Sequence, residues 1–128
     1  MYQRFLVIIV LFALLLAGCK KQGSDFKCQE LKEAIVTDNV EAVKTKLTGF
    51  INKLTSNTYS KQNLEILVAS LSRDCSISAE LLCFDCIYTL PPQSEIRVIF
   101  NSSGSVISKT IDLSYSPDNK IKVVNMHD

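Results

Sequence analysis

The chain has 128 residues, with a single histidine, four glycines and no marked excess of charge of either sign. One histidine excludes a cluster of histidines around a metal. A Ser/His/Asp or Cys/His site would have to recruit His127, beside the last residue, where a flexible exposed side chain is the default. Fourteen Lys and Arg stand against 13 Asp and Glu. No basic field therefore draws nucleic acid, and no block of like charge suggests a solvated tail. The glycines form no phosphate loop. "SSGS" at 102–105 is not a nucleophile elbow and falls where a hairpin needs its turn. Asp and Glu are scattered, without the close pair that glycosidase chemistry uses. "EAIVTDNVEAVKTKL" is ankyrin-like but has no second copy, and one repeat cannot bury its own face. Neither a cofactor nor a resident metal is implied, and the enzyme hypothesis is weak.

What is present begins at the N-terminus. Arg4 precedes an unbroken apolar run from Phe5 to Leu16, short of the about 20 residues a membrane span needs and suited to a signal-peptide core. Leu16-Ala17-Gly18-Cys19 closes the run and resembles the lipobox of bacterial lipoprotein precursors. Ala17 and Gly18 are small enough for a peptidase to reach the bond before Cys19, whose thiol accepts a diacylglyceryl group. The resemblance implies that Cys19 becomes the lipidated first residue of the mature chain, palmitate included. An ordinary signal with an incidental cysteine and an uncleaved anchor are the alternatives.

Cleavage before Cys19 removes 18 of the 128 residues, leaving 110, enough for one domain. It also removes Arg4, so 13 basic residues balance 13 acidic ones. "KKQGSD" at 20–25 reads as a short tether whose lysines meet anionic head groups. In Gram-negative lipoproteins an aspartate after the lipidated cysteine retains the protein in the inner membrane. Lys20 stands there instead, which implies the outer membrane facing the periplasm, with surface exposure left open.

The domain, residues 26–128, reads as helices and then a sheet. Cys28, Leu31 and Ile35 form one stripe at helical spacing over 26–36. Asp38-Asn39-Val40-Glu41 has the form of a capping box with Asp38 as the cap. Val40, Val43, Leu47, Phe50 or Ile51, and Leu54 then continue at helical spacing. A break near Thr37 is expected, with one bent helix as the alternative. Leu64, Leu67, Val68 and Leu71 mark a third helix over 61–73. From residue 95 the period becomes two. Ile96, Val98 and Phe100 share one parity, as do Ile107, Ile111, Leu113 and Tyr115, with Lys109 as the exception. In "SPDNK", Pro117 presets φ and Asn119 tolerates a left-handed conformation. The expectation is an α+β fold, helices packed on one face of a small antiparallel meander stapled by disulfides.

Cys28, Cys75, Cys83 and Cys86 are an even set in an exported domain, which suggests two disulfides of open connectivity. If 77–88 is extended, Cys83 and Cys86 face opposite sides and each bonds elsewhere, for example to Cys75 and Cys28. In a local turn they can pair with each other. A structural role is favoured. A thiol–disulfide oxidoreductase using Cys83 and Cys86 is the alternative, opposed by Asp85, whose charge disfavours a thiolate, and by the strand that follows. A four-cysteine zinc site lacks its second C-x-x-C knuckle.

Leu90, Pro91, Pro92 and Gln93 form a loop with binding potential, since two prolines lower its ordering entropy. A rigid connection is the competing reading. "IRVIFNSSGSVISKTID", 17 residues, resembles a hairpin of the small accessory lipoproteins of the outer-membrane protein assembly machine, which also place helices before a meander. That family's Gly-Met-Thr helix start and Leu-Gly-x-Pro ending are absent. The expectation is a non-enzymatic, lipid-anchored envelope module that binds a protein or another envelope component. A carrier of a soluble ligand would need a cavity beneath the sheet.

Overall fold

The computed structural model describes residues 28–88 and 90–128. Lipidation at Cys19, the leader over 1–18 and the tether over 19–25 lie outside the described residues. Three helices, α1 (Cys28–Val36), α2 (Val40–Leu54) and α3 (Lys61–Cys75), precede four strands, β1 (Ser78–Cys86), β2 (Gln93–Ser102), β3 (Ser105–Tyr115) and β4 (Ile121–His127). The strands pair in sequence order as one antiparallel sheet. The fold is α+β.

The apolar stripes of the helices cover one face of that sheet. Leu31, Ile35, Val43, Leu47, Phe50, Ile51, Leu64, Leu67 and Leu71 are buried with Ile96, Val98, Phe100, Ile111, Leu113, Ile121, Val123 and Met126. The core is therefore continuous from the first helix to the last strand. Helix α2 packs on β4, and α3 packs on β1.

The break after α1 falls at Thr37 and Asp38, and the cap differs from expectation. Asn39, not Asp38, caps α2, its side chain accepting from Ala42 N–H at 3.2 Å. Asp38 takes a positive φ of 55°, and its carboxylate pairs with Lys109 Nζ at 2.9 Å. That pairing explains a lysine on the core-facing parity of β3. Lys109 lies opposite Val98 and reaches past the sheet to Asp38 and Asp128. Ser60 caps α3, which runs two residues beyond the expected Arg73. Its end is marked by Ser76 in a left-handed conformation.

Ser103 and Gly104, φ 51° and 81°, connect β2 to β3. Positive φ at both central residues is what a two-residue type I′ hairpin requires. Asn119 has φ 61°, as the "SPDNK" turn implies. The segment between α2 and α3 is tied to the start of β4: Tyr59 N–H donates to Asn119 O and Ile121 N–H to Asn57 O, both at 2.9 Å.

β1 is a strand the period-two signal does not mark. Its register against β2 shifts between Leu81 and Cys83 and again between Cys83 and Cys86, so alternation is lost where the cysteines lie.

Candidate functional site

Cys28 pairs with Cys75, and Cys83 with Cys86. The second pairing is the local one of the two alternatives that the sequence left open, although the segment is largely extended. Residues 78–86 are a strand, but two register shifts and Asp85 at φ 50° bring both sulfurs to one side. The motif forms the end of β1, and among the described residues the next element is β2, not a helix.

The disulfide pins the start of the β1–β2 connection. Beyond it, Ile87 is 90%, Tyr88 71% and Leu90 95% exposed. Three large apolar or aromatic side chains therefore stand in water on one short loop, whereas singly scattered ones are ordinary. Of the loop residues expected from sequence, Leu90 and Pro91 are exposed, Pro92 is half-buried and Gln93 already belongs to β2. The structure moves the surface towards Ile87 and Tyr88.

The base of this loop is braced from the core side. Tyr59, almost fully buried, donates its hydroxyl to Asp85 Oδ1 at 2.8 Å. Ser94 Oγ donates to the Tyr59 oxygen and accepts from Asp85 N–H at 3.1 Å. The three groups close a ring of hydrogen bonds around the left-handed Asp85. Burial, together with the hydrogen bond and charge of Asp85, pushes the Tyr59 phenol up to about 12. Its ring stacks on Phe84 at 5.4 Å and meets Tyr115 at 5.3 Å. Tyr115 is nevertheless 44% exposed despite its apolar parity.

On the opposite, outer face of the sheet a polar cluster lies beside the same disulfide. Glu95 of β2 is directly opposite Asp112 of β3, and His127 of β4 lies opposite Thr110, two positions along β3 on the same face as Asp112. Tyr88 donates its hydroxyl to Glu95 Oε1, which raises the phenol pKa. The Cys83 and Cys86 sulfurs are 3.5 and 3.8 Å from that same oxygen. As a disulfide they carry no proton, so these are packing contacts.

His127 is not a loose terminal side chain: it is the last residue of β4. Its Nε2 is 3.2 Å from Asp112 Oδ1, with the imidazole half exposed and Asp112 14% exposed. Burial pulls its pKa down, but the Asp128 backbone contact and the hydrogen bond and charge of Asp112 outweigh it. The net direction is up.

The chain matches no known family model, no characterised protein and no solved structure. Function has to be read from these side chains.

Sequence reasoning singled out the four cysteines and Leu90 to Gln93. It missed Tyr59, Tyr88, Ser94, Glu95 and Asp112, and it read Asp85 only as a charge beside the cysteines. Parity could have placed Glu95 and Asp112 on the wet side of their strands. Only the register makes them opposite neighbours. Surface clefts lie between α1 and α2 and between α1 and the β2–β3 turn; neither lies beneath the sheet, where a carried ligand would need to sit.

Proposed function

We propose that this protein is a lipid-anchored cell-envelope module that binds another protein through its β1–β2 loop, without catalysing a reaction. The observation that carries the reading is the exposure of Ile87, Tyr88 and Leu90 together on a loop held by a disulfide and a hydrogen-bonded tyrosine. A pinned apolar surface loses little conformational entropy when a partner covers it, so more of the burial energy appears as affinity. Each fully buried side chain of this kind contributes roughly 1.5–3 kcal/mol.

Anchoring rests on the lipobox at Leu16-Ala17-Gly18-Cys19. The chain enters the domain at Cys28, joined to Cys75 beside the start of β1. The loop leaves the other end of β1, nine residues away, or about 25–30 Å at strand rise. A domain tethered at Cys28 therefore carries its apolar loop at the end opposite the attachment. This supports a protein partner over the bilayer that holds the lipid.

Thiol–disulfide exchange is the second reading, favoured by a disulfide closed between residues three apart beside the exposed loop. Glu95 weighs against it: a carboxylate 3.5–3.8 Å from both sulfurs raises the cost of forming a thiolate.

Crosslinking in intact cells followed by mass spectrometry tests the main reading. The wild-type chain should give a discrete protein adduct that Ile87→Ser/Leu90→Ser loses, while radiolabelled palmitate enters wild type and not Cys19→Ala. Adducts unchanged by the double substitution would sink the loop assignment, and palmitate in Cys19→Ala would sink the anchor.

A further inference from the structure

The outer sheet face carries a group of side chains that the binding loop does not use. Glu95, Asp112 and His127 come from three consecutive strands, and one carboxylate or imidazole ligand atom from each lies within 4.8 Å of the other two. Adjacent strands hold their Cβ positions in fixed register, so the three groups converge without a loop having to order. The sequence excludes a histidine cluster, but one imidazole with two carboxylates is a complete three-ligand set, as catalytic zinc sites show.

The electrostatics of the cluster call for a cation. Glu95 and Asp112 are direct cross-strand partners, a placement in which like charges destabilise the sheet. Asp112 is largely withdrawn from water, which limits screening by solvent. Among the described residues, the one ion pair open to either carboxylate is with His127, so two negative groups share a single imidazole partner. Tyr88 already orients Glu95 by donating to Oε1, as groups behind a metal ligand do.

We propose that Glu95, Asp112 and His127 form a binding site for a divalent first-row transition ion of the zinc class. The imidazole selects against magnesium and calcium, which take oxygen ligands, and in favour of zinc and its neighbours. Three protein ligands on an open sheet face leave the remaining coordination to water. The disulfide sulfurs stay outside the coordination sphere. They pack on Glu95 and limit its movement.

Calorimetric titration of the disulfide-intact protein with zinc chloride at pH 7.5 tests this. One ion per chain should bind, with a hundredfold excess of magnesium failing to compete. His127→Gln and Asp112→Asn should each weaken binding about tenfold or more, with unchanged circular dichroism. X-ray absorption of the loaded protein should show nitrogen and oxygen neighbours and no sulfur. No binding, binding that His127→Gln leaves intact, equal competition by magnesium, or sulfur in the coordination sphere would each overturn the assignment.

Discussion

Gly104 is a residue whose backbone, not its surroundings, decides what can replace it. Its φ is 81°, yet a Cβ built there meets nothing within 4 Å. Gly104→Ala should therefore cost about 1–2 kcal/mol from left-handed strain alone, read as a lower midpoint in urea with an unchanged slope. His127 makes a pH prediction. Its folded pKa lies above the ordinary value, so protonation favours the folded state. The stabilisation is full below the unfolded value of about 6.5 and disappears as pH rises through the folded one. With a chelator present, the Tm gap between wild type and His127→Gln should be larger near pH 5.5 than near pH 8. Neither feature is hidden from the sequence to the same degree. "SSGS" announces a turn by composition. The partnership of His127 with Asp112 depends on the β3–β4 register, which contains a shift between Asp112 and Leu113. Asp38 shows the limit of local motifs: it looks like the cap, but Asn39 takes that role and Asp38 is drawn to Lys109.

Elements were legible where one periodicity runs unbroken. All three helices carry apolar stripes at steps of three and four, and β2 to β4 alternate cleanly enough to be read. β1 was not, because its two register shifts interrupt the alternation over Leu81 to Cys86. Those shifts also brought Cys83 and Cys86 together, so the connectivity could not follow from spacing. The two disulfides stabilise different things. Cys28 and Cys75 are 47 residues apart and join the first and third helices, whereas Cys83 and Cys86 are three apart. Loop-closure entropy gives about 4 kcal/mol for the first and about 2 kcal/mol for the second. Replacing Cys28 and Cys75 together by alanine should lower unfolding free energy roughly twice as much as replacing Cys83 and Cys86. Chemical denaturation of the two double variants measures this directly.

The sheet has two faces and β1 two ends, each with its own set of side chains. One face of the sheet is spent on the core with the helices; the other holds Glu95, Asp112 and His127. At one end of β1 the chain enters through Cys28, and at the other the loop presents Ile87, Tyr88 and Leu90. Periodicity alone conveys the α+β fold. The apolar loop is legible only in part: "IYTLPP" is visibly apolar, but its exposure depends on β1 and β2 pairing and on the ring of Tyr59, Asp85 and Ser94 beneath it. That loop is the centre of the functional account, and photo-crosslinking in living cells probes it most directly. A photoreactive amino acid replacing Leu90 should trap one protein partner. The same group replacing Ile66, a partly exposed residue on α3, should trap none. Adducts from Ile66 but not from Leu90, or only lipid adducts at Leu90, would contradict it.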